Sequence, residues 1–275
     1  MAGIKIITQT QISAFERCRR FYYLKNIRRL VWPVEVEGNH NRQQGDDFHL
    51  LIRQLILGLP ADSLIIPEEA EDVKRWLAVY LAERPLGASQ IVFAEKEVSV
   101  LYADALWTGK FDALTIIDDQ LTIYDWKTGS AKPDPEHYRT APQTRLYRFL
   151  AKSCAARLLG AGLHAVPAEN IEMVYWFPEH PDRTIRLPYS EETYQQDMTW
   201  LKTLAAEMGS QNRDDYPKTT KTRQCEHCSY RTYCSPETFF PDTFPDETDD
   251  PDEIFQTELF PPEAFSETDR EDITF

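Results

Sequence analysis

Leu121-Thr-Ile-Tyr-Asp-Trp-Lys-Thr-Gly129 decides how the rest of this chain is read. Apolar and β-branched residues followed by Thr128-Gly129 describe a strand that ends in a turn. Strand side chains alternate faces, so Asp125 and Lys127 emerge together, rooted by Leu121 and Ile123 of the same parity. A carboxylate can hold a hard divalent cation, and an ammonium beside it can orient a water or help to deprotonate it. An acid and a lysine two residues apart also occur by chance in most proteins. The reading therefore depends on what surrounds them.

Upstream, 107–117 is a second period-two run in which Lys110, Asp112, Leu114 and Ile116 share a face. Asp118-Asp119 turns it into the strand at 121–127, and 91–100 forms a run before it, with Glu95, Glu97 and Ser99 on one face. Three consecutive strands predict an antiparallel meander that sets Asp112 beside Asp125. Glu95 is open between an outer metal ligand and a solvated strand acid. Downstream, a Pro-containing loop leads to a helix over about 143–159, with Gln143 and Tyr147 one turn apart on one face. Residues 171–177 read as a buried strand, with 184–187 as a candidate partner, and Ser190 starts a helix to about Met208.

Toward the N-terminus, Ser13-Ala-Phe-Glu16 has capping-box spacing and predicts a helix to about Ile27, with Phe15, Cys18 and Tyr22 on its inward stripe. Arg17, Arg19, Arg20, Lys25, Arg28 and Arg29 crowd this segment with no acid after Glu16. Such a run is either a solvated face or one turned toward phosphates. A second helix from about Asp46 carries Phe48, Ile52, Leu55 and Ile56, with His49 at the edge of the stripe, and a third spans about 67–83. A lone histidine in that place is more often structural than a ligand.

At 275 residues, with 42% hydrophobic and 27% charged, the chain can bury one good core with a small appended subdomain. It has no apolar run long enough to span a bilayer, and its first residues are too short for a signal peptide, which makes the cytoplasm the expected compartment. The net charge of −15 does not argue against nucleic acid, because it is unevenly placed. Beyond Cys234 there are fourteen Asp and Glu against one Arg, which leaves only −2 on residues 1–235. That stretch, 236–275, is Pro-rich and Phe-punctuated and is expected to be disordered alone. Five cysteines do not make a disulfide framework in this setting. Cys225-x2-Cys228-x5-Cys234, with Cys18 far upstream, reads as metal or iron–sulfur ligation, and Cys154 as a small buried hydrophobe.

Taken in order, these residues resemble the PD-(D/E)xK nuclease superfamily, and within it the RecB-like branch with an iron–sulfur cluster, which includes CRISPR-adaptation nucleases. The resemblance rests on Cys18 in Phe-Glu-Arg-Cys, His49 in Gly45-Asp-Asp-Phe-His, and Asp112 in Gly109-Lys-Phe-Asp. Asp125-Trp-Lys127, Gln143-Thr-Arg-Leu-Tyr147 and the C-terminal cysteine cluster follow in the family's order. Phe111 stands where the familiar proline would be. The resemblance implies an α/β (α+β), restriction-endonuclease-like αβββαβ core with a mixed central sheet, extra N-terminal helices and a Cys-cluster subdomain. It covers about 10–235 and implies a nuclease domain over 1–235, with 41–209 as the nuclease core and 10–30 joined to 210–235 around the cysteines. It implies DNA phosphodiester hydrolysis on single strands or free ends, in repair, recombination or CRISPR adaptation. Asp112, Asp125 and Lys127 would be catalytic, and Mg²⁺ or Mn²⁺ would sit on His49, Asp112, Asp125 and the Trp126 carbonyl. Cys18, Cys225, Cys228 and Cys234 would hold a 4Fe–4S cluster, with Zn²⁺ and a ligand from His227 as the alternative. Gln143, Tyr147, Arg19, Arg20 and Arg223 would meet the DNA. The competing reading is an iron–sulfur DNA-binding module without turnover. The tip Glu271-Asp-Ile-Thr-Phe275 is similar to the acidic, Phe-ended tip of bacterial single-strand-binding proteins, which implies a protein partner. Competition with DNA for the enzyme's own basic groove and plain solubilisation stay open beside it.

Overall fold

From the N-terminus the chain runs β1 (Lys5–Thr8), α1 (Gln9–Arg17), α2 (Arg19–Tyr22), α3 (Asn39–Ile56), α4 (Glu71–Glu83), β2 (Ile91–Tyr102) and β3 (Ala105–Ile117). It continues through β4 (Gln120–Trp126), α5 (Pro135–Thr140), α6 (Pro142–Leu158), β5 (Ile171–Trp176), β6 (Ile185–Pro188), α7 (Glu191–Glu207) and α8 (Arg231–Cys234). This computed structural model describes residues 4–31, 39–87, 91–117, 119–158, 166–226 and 228–235. Asp118, His227 and the acidic stretch from 236 onward lie outside the described residues.

The expected meander is present. β2 pairs antiparallel with β3 from Ile91↔Ile116 to Tyr102↔Ala105, and β3 turns back on β4 from Ile117↔Gln120 to Ala113↔Tyr124. β5 then lies parallel to β4, with Asp125 opposite Tyr175, and β6 returns antiparallel. A parallel neighbour needs a crossover, and α5 and α6 supply it. β1 adds a further parallel pairing, Lys5↔Ala105 to Thr8↔Thr108. The sheet is mixed. The sequence reading placed no strand at β1, because four residues carry too little pattern and its partner lies about a hundred residues away.

Helices cover both faces. Ala113, Tyr124, Trp126, Val174 and Trp176 form one buried cluster with Phe48, Leu51 and Ile52 of α3 and with Val73, Trp76, Leu77 and Tyr80 of α4. Phe48 and Ile52, one turn apart, are fully buried, each contributing about 1.5–3 kcal/mol. They set the roll of α3 and leave His49 at the stripe's edge. α6 lies on the other face with Leu146, Tyr147, Phe149, Leu150 and Cys154 buried, and α7 packs against it. Gly109 permits that approach: a Cβ there would stand 2.8 Å from Leu150 Cδ1 and 2.9 Å from Tyr147 Cε1.

The N-terminal helix differs from expectation. Thr8, at the end of β1, is the N-cap, and its bonds with Gln11 make the capping box. The same spacing occurs at Ser13–Glu16, but the end of the strand selects the earlier start. α1 stops at Cys18, whose backbone is extended at φ −161° and ψ 118°; α2 and a π-helical turn over Tyr23–Ile27 follow. Cys18 is therefore half-buried at a break and not on an inward stripe, while Phe15 and Tyr22 are buried edge to face, 5.3 Å apart.

Residues 1–220 form one compact unit and 221–275 a second. Within the second, a 3-10 turn over Thr222–Cys225 leads to Cys228, whose N–H bonds the Cys225 carbonyl at 3.2 Å. Tyr230 is buried before α8, and the Cys234 N–H closes on its carbonyl at 3.0 Å.

Candidate active site

Three elements converge on one acidic cluster. His49 comes from α3, Glu95 from β2 and Asp112 from β3, and one ligand atom of each lies within 4.8 Å of the others. The β3–β4 ladder ends at Ala113↔Tyr124, and just beyond it Asp112 Oδ2 accepts the Trp126 N–H at 2.8 Å. Its other oxygen lies 3.3 Å from His49 Nδ1, and His49 Nε2 is 3.1 Å from the Trp126 carbonyl. Both imidazole nitrogens therefore face acceptors. Burial opposes a charge on His49, but the bond to Asp112 and the charges of Asp112, Asp125 and Glu95 outweigh it and hold its pKa above the ordinary value.

Glu95 reaches the cluster through its backbone. Ala94 stands opposite Ala113 and Lys96 opposite Phe111, so Glu95 faces Asp112 across the ladder, with a left-handed φ of +51°. That conformation costs a non-glycine residue about 1–2 kcal/mol. The Glu95 carboxylate also pairs with the Lys110 ammonium. Here the expected alternation along β3 fails. Lys110 is exposed while Asp112 is buried, and Phe111 packs on Tyr147 of α6 while Ala113 belongs to the cluster under α3 and α4. A kink between two facing strands explains the break.

The second half of the site is at the end of β4. Lys127 Nζ lies 2.5 Å from Asp125 Oδ2 and donates to Gln143 Oε1 at 2.9 Å, while the Gln143 amide donates to Asp125 Oδ1. The Lys127 N–H bonds the Trp176 carbonyl at 3.0 Å, and its ammonium stands 5.5 Å over the Tyr175 ring. Asp125 is 3% exposed, and the Lys127 ammonium at 2.5 Å is the partner of its Oδ2. Burial raises its pKa to about 6, against the pull of the Lys127 charge, and Asp112 adds to the rise. Burial opposes the charge on Lys127, but Asp125 more than restores it, and its pKa is raised.

The remaining candidates divide. Tyr147 is buried against Phe111 at 5.2 Å, and burial pushes its hydroxyl pKa up. Arg19 bonds Glu207 of α7 at 2.8 Å and lies 4.5 Å over the Phe15 ring, so an acid remote in sequence answers part of the cationic run. The Arg20 N–H bonds the Pro217 carbonyl at 3.2 Å, and its guanidinium stands 5.9 Å from the Tyr23 ring. Arg223 is exposed in the second unit. Cys18 lies in the first unit, and Cys225, Cys228 and Cys234 lie in the second.

A nitrogen, two clustered carboxylates, a backbone carbonyl and the nearby Asp125 carboxylate make a mixed N/O donor set that fits a hard or borderline divalent cation. Sequence reasoning left Glu95 undecided and passed over Tyr175. Alternation cannot foresee a left-handed residue, and Tyr175 becomes a neighbour of Asp125 only through the parallel register of β4 and β5.

The sequence pattern of the PD-(D/E)XK nuclease superfamily matches residues 6–235. Among solved structures, the chain is similar to the "Putative exonuclease" from Eubacterium rectale, with a TM-score of 0.52 and 8% identity over 94% of this chain and 95% of that one. It also aligns with SSO0001 at a TM-score of 0.39 and 14% identity, covering 85% and 88%. No curated protein matches it. The mixed sheet covered on both faces by helices is consistent with the restriction-endonuclease-like arrangement of that superfamily.

Proposed function

The chain belongs to the PD-(D/E)XK nuclease superfamily and is a hydrolytic nuclease, and from that premise we propose a Mg²⁺- or Mn²⁺-dependent exonuclease acting on single-stranded DNA or DNA ends. The observation that carries this reading is the His49–Glu95–Asp112 cluster beside the Asp125–Lys127–Gln143 triangle. His49, Asp112, Asp125 and the Trp126 carbonyl would hold the cation, with Glu95 beside them. When bound, it would polarise the phosphoryl oxygen and lower the pKa of its water. Lys127 would orient the attacking water and face the negative charge that builds on the phosphoryl oxygens. Gln143 keeps the lysine and Asp125 in register by bonding both. Tyr175 supports the ammonium from below.

The same reading places the chain in the RecB-like branch, in repair, recombination or CRISPR adaptation in the cytoplasm. Cys18, Cys225, Cys228 and Cys234 would hold a 4Fe–4S cluster, with Zn²⁺ as the alternative, and 10–30 and 210–235 would form one subdomain around it. The C-x2-C-x5-C spacing supports this. Gln143, Arg19, Arg20 and Arg223 would contact DNA, and the acidic tail would engage a protein partner. Tyr147, expected from the sequence at the DNA, is buried against Phe111 and would act only through its packing. No helix among the described residues is long and apolar enough to cross a membrane.

The test is cleavage of single-stranded, duplex and forked DNA with Mn²⁺, comparing the native protein with Lys127→Ala. The variant should lose about 10²–10⁴ in rate with DNA binding retained. Equal, undetectable cleavage by both would overturn the reading.

A further inference from the structure

The Lys127–Gln143 edge of the site borders a slot. Lys127 and Gln143 line one end of a hollow of about 460 Å³ whose walls are Ser13 and Glu16 of α1 and His137 of α5. Its size is that of a pocket for a small molecule, which typically spans about 300–1,000 Å³, and it suits one nucleotide unit better than a duplex. Glu16 also borders a second hollow of about 510 Å³, so the two adjoin there. On the wall of that second hollow stands Trp200 of α7, half-buried.

Trp200 is held as a platform. The Arg145 guanidinium lies 4.0 Å from its ring, and Arg145 is fixed in turn by Asp197, 1% exposed, at 2.6 Å. An indole braced by a guanidinium presents an aromatic surface with little freedom left to lose on binding. Bases stack on such surfaces whatever their identity, because every base has a π-face.

We infer that this slot seats the nucleotide next to the scissile phosphate, and that the substrate strand continues past Glu16 to stack a base on Trp200. Ser13 and His137 meet sugar and base edges in the slot, and the path accepts one strand and excludes its complement. The inference rests on the nuclease reading above and gives it a substrate form.

The test uses the full-length protein and a short single-stranded oligodeoxynucleotide, with Ca²⁺ replacing the catalytic ion for binding by anisotropy. Trp200→Ala should weaken affinity about fivefold or more, the lower end of what one stacked base contributes, and Trp200→Phe should restore most of it. Ser13→Trp, which fills the slot from an exposed helix position, should lower oligonucleotide cleavage at least tenfold more than hydrolysis of bis(p-nitrophenyl) phosphate in Mn²⁺. The same sequence as a blunt duplex should bind more weakly than the single strand. Unchanged affinity in Trp200→Ala, or equal losses on both substrates in Ser13→Trp, would overturn the strand path. Trp200-dependent binding by a native protein that hydrolyses neither substrate would keep the path and sink the catalytic reading instead.

Discussion

Asp112 accepts the Trp126 backbone N–H at 2.8 Å, so one carboxylate both closes the open end of a sheet ladder and joins His49 and Glu95 in the acidic cluster. The two roles separate by substitution. Asp112→Asn keeps a carbonyl oxygen for the N–H and should remain near native stability while losing at least about 10³ in rate. Asp112→Ala leaves a buried donor unmet and should cost a further 1–3 kcal/mol or so in urea denaturation. Equal stability of the two variants would argue against the structural role.

Asp125 makes the metal-free protein sensitive to pH. Its folded-state pKa of about 6 lies above the ordinary 3.8, so the fold binds this proton more tightly than the unfolded chain does. The resulting stabilisation is complete below about pH 4 and is lost as pH rises through about 6. In EDTA, the native protein should lose stability across that window, and Asp125→Asn should flatten this part of the profile.

Gly109 admits α6 to the sheet. Gly109→Ala forces Tyr147 and Leu150, both buried, to give way, and should cost about 1–3 kcal/mol in thermal or chemical denaturation. Because Gln143 rides on the same helix, the variant should also lose rate beyond its loss of stability.

For the cysteines, protein purified without oxygen should be brown, with broad visible absorbance, and Cys225→Ser should abolish the colour together with the iron. Colourless native protein loaded with one zinc would favour the Zn²⁺ alternative. Cys154→Ser serves as the control, since Cys154 is buried in α6 and should leave the spectrum unchanged.

Patterns of short range are what the chain itself determined. Alternation through Leu121, Ile123, Asp125 and Lys127 located the acid–lysine pair, turn residues joined three strands into a meander, and helical spacing set His49 beside the Phe48–Ile52 stripe. Each of these depends on neighbours within a few residues, where periodicity records which face is buried. What only the tertiary structure decided depends on partners far apart in sequence. β1 pairs with β3 across about a hundred residues, Glu207 answers Arg19, and Tyr175 meets Asp125 through a parallel register. Glu95 enters the cluster because its backbone turns left-handed opposite Asp112, and α1 starts from Thr8, where β1 ends, and stops at the extended Cys18. Such choices are made by packing energy shared among distant segments, and no window of local sequence carries that sum.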